Sequence, residues 1–328
     1  MILVTGASGF LGGHLLEALQ DQPLPVRALY HSHAPTTRYA AVNWQQCNLL
    51  DIYDVAAAME GITHIYHCAG IVSFDPKRKH SVIQDNTAMT AHIVNAALDQ
   101  QVERMVHVSS IAALGRGIPS EADGMLHFDE NTEYEEHIQN SSYAQGKFQA
   151  EMEVWRGMAE GLSAAILNPS VILGEGNWEE GSANLMKIVY NEFPWYTTGI
   201  NGWVDVKDLV RAMLLLMKST VSEERFIINN GNYAYLDIFT KMAKALNRKP
   251  PHQKASPFMT EIVWRLEYLK SILAGKAITI SRETARTAQL KCEYDNKKFL
   301  KLFPDFQYTA IDQTIKRMAV AFLEDRKH

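Results

Sequence analysis

Cysteine is scarce in this 328-residue chain, with only Cys47, Cys68 and Cys292, far apart in sequence. There is no CxxC pair and no zinc-like spacing, so a disulfide scaffold and a structural zinc site are excluded and no metal is expected. Long apolar runs are missing too, and nothing approaches the roughly 20 residues a membrane-spanning helix needs. Strand-like sequence starts at Met1, without the basic and then apolar segments of a secretory leader. Positive charge is not in excess: the formal net charge of −5 offers little to nucleic acid or an anionic membrane. No internal repeat or low-complexity segment is present. These absences leave a cytoplasmic globular protein whose partner is a small molecule, and 47% hydrophobic residues suffice for a substantial core.

The first half alternates between two patterns. Short runs rich in Val, Ile and Leu (Ile2–Thr5, Val26–Tyr30, Ile62–His67, Met105–Ser109 and Ala164–Leu167) read as buried parallel strands. Helical patterns lie between them at Phe10–Gln20, Ser81–Asp99 and Ser142–Glu160; in the first, Leu11, Leu15, Leu16 and Leu19 share one face. This alternation predicts an α/β fold, a doubly wound parallel sheet with helices on both faces. The sheet domain is expected over 1–168, with Trp203–Val206 and Arg225–Asn229 rejoining it within 203–230. Residues 169–202 and 231–328 are expected to form a smaller, mostly helical lobe, with a helix near Ala183–Glu192.

The segment Thr5-Gly6-Ala7-Ser8-Gly9-Phe10-Leu11-Gly12 joins the first strand to the first helix. In that position Gly6 permits a tight turn, Gly9 lets backbone approach a pyrophosphate, and Gly12 lets helix and sheet pack closely. Free amides at the helix start then face the phosphates, aided by the helix dipole. The second strand ends in Tyr30-His31-Ser32-His33, with Arg38 further on, where an acidic residue would bind the ribose hydroxyls of NAD. Without a carboxylate to repel a 2′-phosphate, NADP is favoured and NAD stays possible; a solvated loop is the other reading of this stretch.

Tyr143 and Lys147 are four residues apart, hence on one helical face about 5–6 Å apart at Cβ. A cation beside the phenol would favour phenolate and equip Tyr143 for general acid–base work. Ser109-Ser110 closes a predicted strand, at the end of the sheet where ligands of such folds bind. A serine hydroxyl there can hold a carbonyl oxygen while Tyr143 exchanges its proton.

Four ordered motifs carry a resemblance to the extended short-chain dehydrogenase/reductases, the NAD-dependent epimerase/dehydratase family. Thr5–Gly12 resembles the TGxxGxxG cofactor motif, His67–Gly70 (HCAG) the motif after the fourth strand, Val108–Gly115 the strand with the catalytic serine, and Ser142–Lys147 the YxxxK motif. Ile71–Pro76 and Asn168–Gly176 are most similar to dihydroflavonol-4-reductase-like and 3β-hydroxysteroid-dehydrogenase-like members. The resemblance implies a Rossmann-type fold and a catalytic group of Ser110, Tyr143, Lys147 and Asn86, with Lys147 also holding the nicotinamide ribose. It implies a cofactor lying along Gly6, Ser8, Gly9, Phe10, Leu11, Gly12, His31, Arg38, Asn48, Leu49, Ala69, Gly70, Pro169 and Val171. It also implies a homodimer through helices near Thr87–Leu98 and Tyr143–Trp155. Two departures stand out: Asn48 replaces the family's usual Asp, and His31 stands where many NADP-dependent relatives carry Arg. The expected reaction is hydride transfer between NAD(P) and a ketone or secondary alcohol. A nucleotide-sugar epimerase or dehydratase and a non-catalytic cofactor sensor are the alternatives.

Other signals carry less. His64 and His67 point to opposite faces of a strand, and His31 and His33 lack a third ligand. Phe258–Leu273 places an apolar stripe on a helix, expected to be lobe core, with a lid or membrane contact as alternatives. Trp178, Trp195, Tyr196 and Trp203 suggest a partly aromatic pocket, or plain core.

Overall fold

The computed structural model describes all residues except 21, 33–38, 40–41, 74–77, 116, 121, 123, 135–139, 256–286 and 328. The N-terminal half runs β1 (Ile2–Thr5), α1 (Phe10–Leu19), β2 (Val26–Tyr30), β3 (Val42–Gln46), α2 (Ile52–Met59), β4 (His64–His67), α3 (Lys79–Asp99) and β5 (Arg104–Val108). A 3-10 turn (Ile111–Leu114), β6 (Ile118–Pro119), β7 (Leu126–Phe128), α4 (Ser142–Ala159) and β8 (Ala164–Pro169) follow. Then come β9 (Val171–Leu173), α5 (Asn184–Tyr190), β10 (Trp195–Tyr196), β11 (Ile200–Asp205), α6 (Val206–Lys218), β12 (Glu224–Ile228), β13 (Gly231–Ala234) and α7 (Tyr235–Leu246).

Seven strands form one sheet in the order β12-β8-β5-β4-β1-β2-β3, with every pairing parallel. This is the Rossmann-type sheet that the alternating pattern predicts. Its central strands are rich in apolar residues because both faces are covered. Within β1, Ile2 and Val4 enter one core with Leu15 and Leu16 of α1, while Leu3 enters the opposite core with Ile93 of α3 and Val154 of α4. Chain order reverses direction between β1 and β4, so the crevice at their carboxyl ends is the topological switch point where ligands of such sheets sit.

Arg225–Asn229 rejoins the sheet as β12, in register with β8 through Phe226 and Leu167. The same expectation for Trp203–Val206 is corrected: β11 pairs with β9 and β13 in a separate three-stranded sheet. Its apolar residues are divided: Val204 enters the core of the large sheet with Ile2 and Val4, and Trp203 enters a different core. Trp203 is fully buried and donates its indole N–H to Tyr233 O at 3.1 Å. Trp178 meets Phe322 edge-on at 5.3 Å. Both belong to a core of α5, α7 and the C-terminal helix Ile311–Asp325, so they are not pocket aromatics. Trp195 and Tyr196 are half-buried in β10, beside Gln253–Lys254.

Two elements escaped the apolar pattern. The edge strand β3 has sequence VNWQQ and is only half-buried, and α2 is short, capped by the Asp51 carboxylate. The Phe258–Leu273 stripe lies outside the described residues. Among those described, no helix is long and apolar enough to cross a membrane.

Candidate active site

The turn after β1 is built for close backbone approach. Gly6 has φ +64°, a left-handed conformation, and a Cβ there would lie 2.7 Å from Ala69 N, at the end of β4. A Cβ on Gly12 would sit 2.7 Å from Ala7 Cα and overlap Gly6 O. Gly9 caps α1 in extended conformation with no side-chain hydrogen bond, so the first amides of the helix are not satisfied by a cap. Ser8 and Gly9 are exposed, Leu11 packs on the core beneath, and the ring of Phe10 fills space left by Gly174 and Gly176. His14, one turn along α1, bonds Glu175 O at 2.8 Å and ties the same loop to this helix. Gly12→Ala is expected to weaken NADPH binding at least tenfold and lower the melting temperature, read by fluorescence titration and thermal unfolding. Gly13→Ala is the control. Its Cβ would meet nothing within 4 Å, so the better helix former should be neutral or stabilising by about 0.5–1 kcal/mol.

The adenosine side is polar and open. His31 and Ser32 are exposed at the end of β2, with Ser32 Oγ and His31 Nδ1 2.8 Å apart. Gln46 of β3 donates to His31 O at 3.0 Å, which fixes the peptide there. Arg38 and His33 lie outside the described residues. Asn48 Oδ1 accepts from Leu50 N at 3.1 Å, so the carbonyl end of this amide holds its own turn. Leu49 is buried, and its carbonyl bonds His92 Nδ1 at 2.9 Å.

The crevice continues past β4. Thr5 Oγ1 accepts from Ala69 N at 3.2 Å and lies 2.7 Å from His67 Nδ1, while His67 Nε2 reaches Thr90 Oγ1 at 3.0 Å. Burial, with the Lys147 cation adding to it, pushes the His67 imidazole down to about 3. The neighbouring His107 ring, 5.1 Å away, is also held well below its ordinary range by burial, His67 and Lys147. The sequence marked His67 only through the HCAG motif and did not mark His107, because a strand of mixed polar and apolar letters does not reveal which side chains share a buried face. The Asn86 amide is committed to backbone: Oδ1 accepts from Ile71 N at 2.7 Å and Nδ2 donates to Ile71 O at 3.0 Å. It therefore acts as a clamp on the segment after Gly70.

Gly70 is exposed, and a Cβ there would come 3.0 Å from Lys147 Nζ. The ammonium donates to Val108 O, the last carbonyl of β5, at 3.1 Å. Burial pushes Lys147 down to about 8, opposed by Cys68 and by the Glu151 carboxylate one helical turn along. Ser110 caps the 3-10 turn, its hydroxyl accepting from Ala112 N at 3.1 Å. Tyr143, which opens α4, lies close enough for this hydroxyl to act on its phenol. Burial raises the phenol above its ordinary range, and the Ser110 hydroxyl works against that rise. In this arrangement the Lys147 ammonium is directed to the end of β5. Helical spacing does put Tyr143 and Lys147 on one face, and packing of α4 on α3 and the 3-10 turn brings Ser110 to the phenol.

The glycine cradle and the exposed ends of β1, β2 and β4 fit a dinucleotide. Gly6, Ser8, Gly9, Phe10, Leu11 and Gly12 would face its phosphates, and His31, Asn48 and Leu49 its adenosine half. Ala69, Gly70, Lys147, buried Pro169 and half-buried Val171 would flank the nicotinamide half. A nicotinamide held there would supply hydride chemistry, and Ser110 and Tyr143 would offer two hydroxyl groups to a substrate oxygen.

The comparisons agree with this geometry. The family model described as "NAD dependent epimerase/dehydratase family" matches residues 2–230. "Sterol demethylase protein B" of Methylococcus capsulatus is 26% identical, over 78% of this chain and 77% of its own length. A Stigmatella aurantiaca enzyme, "4-hydroxy-2-methyl-3-oxo-4-farnesyl-3,4-dihydroquinoline-1-oxide ketoreductase", is 26% identical over 86% of this chain and 89% of its own. The crystal structure of gox2253 superposes with a TM-score of 0.80 at 22% identity, covering 99% of this chain and 98% of that one, which supports the fold. With its match across more than two thirds of the residues, this chain belongs to the NAD dependent epimerase/dehydratase family and is one of its NAD(P)-dependent enzymes.

Proposed function

We propose that the chain is an NADP-preferring reductase of a ketone, reversible to the secondary alcohol and similar in type to dihydroflavonol reductases. The observation that carries this reading is the meeting of the Ser110 hydroxyl and the Tyr143 phenol at the carboxyl end of β5, with Lys147 on the same helix face. In the reducing direction both hydroxyls meet the carbonyl oxygen. As negative charge develops there, the Tyr143 proton moves to the oxygen, Ser110 donates a hydrogen bond, and the phenolate left behind is reprotonated from solvent. A phenol ordinarily titrates at about 10 and so carries at neutral pH the proton it would donate. A relative named as a ketoreductase supports the direction of this assignment.

The cofactor preference rests on the end of β2, where His31 and Ser32 offer hydrogen-bonding groups and no carboxylate opposes a 2′-phosphate. A homodimer through α3 and α4, a cytoplasmic setting, and a small-molecule partner rather than nucleic acid or membrane complete the reading. An epimerase or dehydratase of nucleotide sugars is the alternative that the family's name favours. NADPH and NADH oxidation against aromatic, steroidal and small aliphatic ketones decides among these. Turnover with NADPH at least tenfold more efficient than with NADH is expected. Inactivity toward every ketone, with tight binding of a UDP- or dTDP-sugar and a cofactor retained through purification, would replace the reductase by the epimerase.

A further inference from the structure

The peptide that carries Ser110 is held by an unusual anchor. The β5–β8 ladder ends where Ser109 N donates to Leu167 O at 2.8 Å. One residue later the chain turns away, and Ser110 O accepts twice: from Ala113 N within its own 3-10 turn at 3.0 Å, and from the Asn168 Nδ2 side chain at 3.0 Å. The same amide group donates at 2.8 Å to Glu151 Oε2. Both partners are acceptors, so the orientation of the Asn168 amide follows from its neighbours. Glu151 and Asn168 are fully buried. The other Glu151 oxygen accepts from Arg225 at 3.1 Å and from the Trp155 indole at 3.4 Å. Arg225 uses its remaining donors on Glu130 O at 2.8 Å and Thr132 O at 2.9 Å.

We propose that Asn168, oriented by the Glu151–Arg225 ion pair, is a positioning residue that fixes the Ser110 peptide so that the Ser110 hydroxyl meets Tyr143. Burying an ion pair is costly, and an apolar group of similar volume would serve packing alone as well or better. What such a group would not supply is a donor for Ser110 O at the point where the sheet no longer provides one. Without that bond the Ser110 carbonyl keeps only the Ala113 amide of its own 3-10 turn and is no longer tied to β8 and α4, so the turn can shift and carry the hydroxyl away from the phenol. Glu151 also stands one turn beyond Lys147 on α4, so a single carboxylate links the helix bearing Tyr143 to the strand end bearing Ser110. The inference rests on reading Ser110 and Tyr143 as the reacting pair.

The test is a double-mutant cycle on Ser110 and Asn168 with two readouts. The first uses no substrate: tyrosine is labelled with carbon-13 at Cζ, and the Tyr143 resonance is assigned by its loss in Tyr143→Phe. Ser110→Ala and Asn168→Ala are expected to move that resonance in the same direction, and the double variant to match Ser110→Ala. Asn168→Leu, which conserves volume, should do the same and guards against a fold defect in the alanine variant. Glu151→Gln has one acceptor where Asn168, Arg225 and Trp155 use two, so it should move the resonance in the same direction as Asn168→Ala. The second readout is kcat for whichever ketone of the panel is reduced. Asn168→Ala should lower it about 10–100-fold, the scale of a small misplacement of a reacting group, with NADPH affinity within about twofold. In the Ser110→Ala background the same change should cost nothing further. A resonance unmoved in both Asn168 variants, or effects that add in the double variant, would overturn the proposal. If the resonance cycle behaves as expected while no variant, wild type included, reduces a ketone, the positioning role stands and the reductase reading fails.

Discussion

Tyr143→Phe is expected to lower ketone reduction by about 10²–10⁴-fold, the contribution of a positioned proton donor, while NADPH binding stays within a few-fold of wild type. The change removes one oxygen and leaves the ring, so packing at the start of α4 is kept. What disappears is the proton for the substrate oxygen and the partner of the Ser110 hydroxyl. Steady-state NADPH oxidation and fluorescence titration of the cofactor check the two halves separately. Undiminished turnover would sink the assignment of Tyr143. Loss of binding and turnover together would mean that the phenol serves the cradle rather than the chemistry. A protein that only sensed its cofactor would lose nothing on this substitution, so the same pair of measurements disposes of that alternative.

The second large effect concerns stability in acid. His67 and His107 are buried side by side between β4, β5 and the helices, and both are held neutral in the fold. His67 titrates near 3 when folded, against 6.5 as the ordinary value. Below about 6.5 the unfolded chain therefore binds protons that the folded protein refuses. Stability is complete above that value and falls as pH drops toward the folded value, by about 1.4 kcal/mol per pH unit per ring. At about pH 5 the His67 contribution alone amounts to about 2 kcal/mol. Denaturant titrations at neutral pH and at about pH 5 should show this loss in wild type and a smaller one in His107→Leu. Neither ring nitrogen of His107 has a hydrogen-bond partner among the described residues. Removing them should thus also stabilise the neutral protein, by about 1 kcal/mol, since an unsatisfied buried polar group costs about 1–3 kcal/mol. An acid penalty of equal size in variant and wild type would show that carboxylates, not these rings, govern it.

Local patterns made much of the molecule readable. The buried strands β1, β2, β4, β5, β8 and β12, and the helices α1, α3 and α4, follow from runs whose length and period allow few alternatives. The edge strand β3 does not, because one half-buried edge needs no apolar run. β11 shows the opposite failure: its apolar letters are real, but the strand pairs outside the large sheet and divides them, Val204 entering the core of that sheet and Trp203 the lobe core. Apolar character tells that a residue is buried; it does not say in which core.

The same division runs through the glycine turn and the catalytic group. By itself the sequence determined the Gly6–Gly9–Gly12 turn, the Tyr143–Lys147 spacing and the strand end at Ser110. Each depends on neighbours within a few residues, where backbone geometry alone sets direction. Only the tertiary structure decided that Lys147 reaches Val108 O, that Asn86 clamps Ile71, and that Asn168 and Glu151 hold the peptide of Ser110. Those contacts join residues up to 58 positions apart. They arise because parallel strands bring their carboxyl ends to one edge, whatever the length of chain between them.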